Sequence, residues 1–240
     1  MPHSSRILGR VGVQTLNEQL IATRTFRLTR LLLAIIVCIL ASASSLHAQG
    51  PVPGKNEFDA YAGASWDSPH VIGTTAHREI IDVGGRYGRT LEIWRNVTFG
   101  ITIDVVPVEL VVQPKITLTP APGDPNQLII HQGPRHAVYG GGFNPLGIEW
   151  TFFRHRRIQP MAASTAGMVF SVIPVPLDVP NATRSNFTFD FQGGVRIFNS
   201  ARTRAILLGY KYQHISNAYR TSVNPGVDGN VIFAGYSFFR

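Results

Sequence analysis

The segment Gln213-His214-Ile215-Ser216-Asn217-Ala218, followed by Asn224-Pro225-Gly226-Val227-Asp228, gathers a base, a hydroxyl and a carboxylate near the C-terminus. His214 and Ser216 are two apart, so on a strand both side chains leave by the same face. Asp228 is the only acidic residue after Asp190 and lies just across the following loop. These are the groups of serine-hydrolase chemistry: a nucleophile, a base that takes its proton, and an acid that orients the base. A His-x-Ser spacing alone specifies little. The direction of the side chains adds more.

The preceding strand places Ile206, Leu208, Tyr210 and Tyr212 on the parity of His214 and Ser216, and Gly209, Lys211 and Gln213 on the other. The next strand repeats this, with Ile232, Ala234, Tyr236 and Phe238 on the parity of Asp228. The hydrolytic groups therefore sit on the apolar, aromatic side of a sheet. That placement makes sense if the side faces lipid.

The elements that would carry such a site begin after the N-terminus. Arg24, Arg27 and Arg30 precede an apolar run from Leu31 to Ala41, and small residues lead to Ala48. This is the order of a cleaved signal peptide over residues 1–48, and the run is too short to span a bilayer as a helix. The remaining domain is residues 49–240. The only cysteine of the sequence, Cys38, falls inside the leader, so the exported chain is expected to have no thiol, disulfide or Cys-based metal site. Losing five arginines and Glu18 with the leader lowers the formal charge from +8 to +4. No Lys/Arg cluster is interleaved with aromatics, which speaks against nucleic acid as partner.

Period-two alternation recurs along the domain. Val97, Phe99, Ile101, Ile103 and Val105 alternate with Thr98, Gly100, Thr102 and Asp104. Leu146 to Phe152 and Phe187 to Ile197 do the same, and weaker segments are Phe58 to Trp66, Arg78 to Leu91 and Ile158 to Val172. With the last two strands the count is eight. Short turns at 154–157 and 199–202 alternate with long connections, including a Pro-rich one from Gln113 to His136. The pattern predicts an all-β, eight-stranded antiparallel transmembrane β-barrel with its long loops outside the cell. The polar face, with Asp104, Glu149, Asp190, Arg196 and Lys211, suits a lumen filled by side chains of mixed sign. Tyr61, Trp66, Trp94, Trp150, Tyr210 and Tyr236 read as interface belt residues.

At His-x-Ser-Asn-Ala and Asn-Pro-Gly the chain resembles the lipid A 3-O-deacylase family, outer-membrane acyl hydrolases. The resemblance is strongest from about Tyr139 to Arg240 and fainter around Arg86-Tyr87-Gly88-Arg89 and Asp104-Val105-Val106-Pro107. It implies a triad of His214, Ser216 and Asp228, with Asn217 and Asn224 linked to the oxyanion. Familiar members carry Glu where this chain has Asp228, which shortens the reach to His214. The implied substrate is lipid A in the outer leaflet of the outer membrane, with no cofactor; His131, His136 and His155 lack ligand spacing, so no metal site is expected. A homodimer stays open. Two other readings remain at this point: a non-catalytic small outer-membrane barrel serving adhesion or membrane integrity, and a soluble lipocalin-like barrel with its apolar face inward. Arg220 is a candidate contact for substrate phosphate.

Overall fold

Strands with one apolar face can hide their backbone polar groups from lipid only by pairing until the sheet closes on itself. The computed structural model, which describes residues 54–177, 179 and 181–240, has this closure. The strands are β1 (Asn56–Ser65), β2 (Glu79–Trp94), β3 (Val97–Ala121), β4 (Asp124–Phe152), β5 (Ile158–Val175), β6 (Thr183–Phe198), β7 (Arg204–Ser216) and β8 (Val227–Phe239). Each pairs antiparallel with its neighbour in sequence, and β1 closes the ring against β8. The expected eight-stranded barrel is the observed fold. The predicted leader lies outside the described residues.

The parity of the faces decides between membrane and soluble barrels. On β7, Ile206, Leu208 and Tyr210 are exposed, whereas Ala205, Leu207, Lys211, Gln213 and Ile215 are buried in the lumen. On β8, Ile232, Ala234 and Tyr236 point out, and Val231, Phe233 and Ser237 point in. The apolar surface is thus on the outside, opposite to the lipocalin arrangement. Inside, charges are paired because an unpaired ion out of water is costly. Arg86 meets Asp104 at 2.7 Å and donates to Gln192 at 2.9 Å. Arg196 holds Glu149 at 2.6 Å and contacts both Glu57 and Asp59. Lys211 pairs with Asp82.

At the long-loop end the lumen turns apolar. Ile80, Val111, Val138, Val175, Ile215, Val227 and Val231 form one buried cluster. Ile215 lies between His214 and Ser216, and Val227 precedes Asp228. The inward side chains of the site's own strands are therefore locked, which gives the outward ones a rigid base.

Two expectations change. The Pro-rich segment Gln113–His136 is not an irregular loop but a continuation of β3 and β4 as a two-stranded ribbon. Its β-forming residues Thr117, Leu118, Thr119 and Ile129 pair across it, and register shifts fall beside Pro114 and Pro120. Proline is tolerated there because irregularities and free edges need no ladder N–H. The ribbon turns at Pro122-Gly123, where Gly123 takes φ +89°, the position that a Pro-Gly turn reserves for glycine. Tyr61, read as a belt residue, instead points into the lumen. It shares parity with Glu57 and Asp59, and its ring packs edge-on to Phe233. Short β1 segments with alternating Ala and Gly give little hint of which face is apolar.

Candidate active site

His214 on β7 and Asp228 on β8 are direct partners in the antiparallel ladder. Residues opposite one another bring their Cβ atoms within roughly 4.5–5.5 Å, so even a short carboxylate reaches across. His214 Nδ1 lies 2.6 Å from Asp228 Oδ1. The missing methylene relative to Glu therefore does not keep this acid from the imidazole. Phe189, opposite His214 on the other side, places its ring centroid 5.1 Å from the imidazole. The base is thus held between an aromatic ring and a carboxylate, and it is buried although it lies on the outer face.

Ser216 leaves the same face one pleat further on, opposite Phe187, and stays half-buried. Among the described residues neither its hydroxyl nor His214 Nε2 has a hydrogen-bond partner. Both are free to meet each other and a substrate. Hydrogen bonds of this kind commonly tighten only once substrate is bound.

The β7–β8 connection is organised by the two asparagines. Asn217 is buried, and its amide donates to Thr221 Oγ1 and to the Val223 carbonyl, both at 2.8 Å. Its Oδ1 accepts the Tyr219 N–H at 2.9 Å, which holds Ala218 and Tyr219 at φ +51° and +58°. Residues other than glycine adopt that region sparingly, so this turn is enforced by its hydrogen bonds. Asn224 Oδ1 accepts the Asn217 N–H at 3.0 Å, which sets its carboxamide beside the residue following Ser216. Among the described residues the Asn224 NH2 donates to nothing. Gly226, with φ +62°, passes so close to the base that an added Cβ would lie 2.7 Å from His214 Cε1.

A part of the site that the sequence did not announce comes from the β1–β2 loop. Asp228 Oδ2 accepts the N–H groups of Val71, Ile72 and Gly73, each at 2.9 Å. The Gly73 N–H also reaches Oδ1 at 3.0 Å. The Ser68 hydroxyl lies 2.7 Å from the Asp228 carbonyl oxygen and 2.9 Å from that of Thr75. Thr74 donates twice to the Pro225 carbonyl. Main-chain donors carry no residue signature, so only Ser68 and Gly73 could have hinted at them. Arg220, considered as a phosphate contact, stays exposed beside the site. It donates to the Asn217 and Ser185 carbonyls and stacks on Phe187 at 5.0 Å. Among the described residues no group of three His, Cys, Asp or Glu is placed to hold a metal ion.

This arrangement sets a base, its acid and a free hydroxyl on the lipid side of a barrel, at the end where the long loops emerge. Residues 134–237 match the family model "Lipid A 3-O-deacylase (PagL)". No curated protein matches the chain. Among solved structures, the outer-membrane enzyme PagL superposes with a TM-score of 0.51 at 13% identity, covering 76% of this chain and 98% of that one. Outer membrane protein OprG from Pseudomonas aeruginosa gives a TM-score of 0.46 at 11% identity over 80% and 99%. Neisserial surface protein A gives 0.43 at 11% over 77% and 96%. Over the segment that holds His214, Ser216, Asn217, Asn224 and Asp228, the chain is thus similar in sequence to the lipid A 3-O-deacylase family, a family of ester hydrolases, and its barrel has the fold of an outer-membrane enzyme.

Proposed function

We propose that this protein removes the ester-linked acyl chain at the 3-O position of lipid A by a Ser-His-Asp mechanism. The observation that carries the reading is the 2.6 Å contact of His214 Nδ1 with Asp228 Oδ1, with Ser216 on the same lipid-side face. An Nδ1–H held by a carboxylate leaves Nε2 with its lone pair, the tautomer a general base requires. Ser216 Oγ attacks the acyl carbonyl while His214 Nε2 takes the hydroxyl proton. The tetrahedral oxyanion is held by the free NH2 of Asn224. Asn217 serves differently: both of its amide hydrogens are engaged within the loop, so its role is to shape the turn that presents Asn224. Collapse breaks the ester bond, and His214 returns its proton to the departing sugar oxygen. Water, activated by the same imidazole, then releases the acyl chain as a fatty acid and restores Ser216.

The position on the outer wall suits a substrate whose acyl chains already lie in the membrane, since the ester linkages of lipid A sit near the boundary between chains and sugar. The test is mass spectrometry of lipid A from cells producing the protein or its Ser216→Ala variant. Wild type should generate lipid A lacking one acyl chain; the variant should leave it intact while still giving the heat-modifiable band of a folded barrel. Deacylation by Ser216→Ala at the wild-type rate would reassign the nucleophile.

A further inference from the structure

The Asp228 carboxylate is fully buried, yet β8 supplies none of the donors that surround it. A buried carboxylate without partners would be strongly disfavoured, and a short side chain at a strand end would turn toward water. Instead three successive N–H groups, from Val71, Ile72 and Gly73, converge on Oδ2, and Oδ1 is left facing His214. Successive main-chain amides that converge in this way form a concave anion-binding nest. We infer that this stretch of the β1–β2 loop is a positioning element of the hydrolase: it fixes the rotation of the Asp228 carboxylate and so holds His214 in the base tautomer. The inference rests on the Ser-His-Asp reading and adds to it a segment from the opposite end of the chain.

The loop is fastened for this purpose from both sides of the nest. Ser68 bonds the Asp228 main chain, and Thr74 is tied to Pro225 through its N–H and its hydroxyl. Between these anchors, Gly73 has no room for a side chain. An added Cβ would lie 2.8 Å from Asp228 Oδ1 and 2.9 Å from the Gly226 carbonyl carbon. Gly226 in turn abuts the imidazole. Gly73, Asp228, Gly226 and His214 therefore form one packed stack, in which displacement of the loop is transmitted to the acid and the base. The same arrangement explains how an aspartate suffices: the ladder brings it within reach, and the nest aims it.

The experiment uses purified, folded full-length protein with lipid A in mixed micelles, and measures kcat and KM separately. Gly73→Val should lower kcat by roughly ten- to a hundredfold, the scale of a misplacement of about an ångström, with KM within about twofold of wild type, because the nest does not touch substrate. Ile72→Pro replaces the N–H aimed at Oδ2 with the ring Cδ, which removes one donor and pushes the loop off the carboxylate; it should act in the same direction and carries the test if Gly73→Val does not fold. A purely structural role is separated by the double variant. Adding Gly73→Val to Asp228→Asn should produce little further loss, since the loop acts through the acid. Multiplicative losses would overturn that coupling. Wild-type kcat in both loop variants, with Asp228→Asn slow, would overturn the inference and leave the triad standing. Wild-type kcat in Asp228→Asn would overturn the triad reading itself, and the inference with it.

Discussion

Asp228→Asn is the substitution whose consequence the structure determines most closely. The amide can sit in the nest in two ways. With its oxygen toward His214, the NH2 faces the Val71 and Ile72 N–H groups, and two part-buried donors lose their acceptor. With its oxygen toward the nest, all three N–H groups stay bonded, and the NH2 donates to His214 Nδ1. Because both donors are only part-buried, each costs about 1 kcal/mol when left unpaired, the low end of the range for buried groups; the second orientation is therefore favoured by about 2 kcal/mol and the first is populated to about 3%. The favoured orientation puts the imidazole proton on Nε2, where it cannot accept the proton of Ser216. That alone slows turnover about 30-fold. Losing the charge-assisted bond to the imidazolium removes about 1.5–3 kcal/mol more, for a total loss on the order of a thousandfold in kcat. Time-resolved mass spectrometry of lipid A in micelles, with kcat and KM fitted separately, measures it. A variant within about threefold of wild type would refute the argument and reduce the site to a Ser-His dyad.

Other substitutions follow from the same geometry. Asp228→Glu should lose activity despite restoring the residue of familiar relatives, because the added methylene drives the carboxylate into Val71–Gly73; single-turnover rates would detect this, and full activity would mean that the loop yields. Asn224→Ala should lower kcat by about 10²–10³-fold, the effect of removing one oxyanion donor. Asn217→Ala should instead loosen the β7–β8 turn, seen as increased proteolysis there as well as lower activity. Lys211→Leu leaves the buried Asp82 without its cation and should destabilise the barrel by about 3–5 kcal/mol in urea titrations from lipid vesicles. Tyr210→Lys, one residue away but on the outer wall, should cost roughly 2–4 kcal/mol near the bilayer midplane and less near the interface. Labelling of a cysteine at 210 by a water-soluble reagent alone would contradict that placement.

The barrel was legible in the sequence because a lipid-facing wall and a side-chain-filled lumen impose a strict period of two. Strands such as Val97–Val105 and Phe187–Ile197 carry that period in plain residue types. The same periodicity put His214, Ser216 and Asp228 on the outer face, since parity survives any uncertainty about where a strand ends. Parity failed where residues are small or mixed, as at Tyr61, and the prolines of Gln113–His136 concealed a ribbon whose bulges accommodate them. Tertiary structure alone decided three things. The ladder register made Asp228 the direct partner of His214, a matter of alignment between strands that neither strand encodes by itself. The hydrogen bonds of the β7–β8 loop separated the roles of Asn217 and Asn224, two residues of the same chemistry. And barrel closure carried residues 71–73 across to Asp228, where their contribution is main-chain N–H. Every residue but proline has that group, so no pattern of side chains could have announced where it would be used.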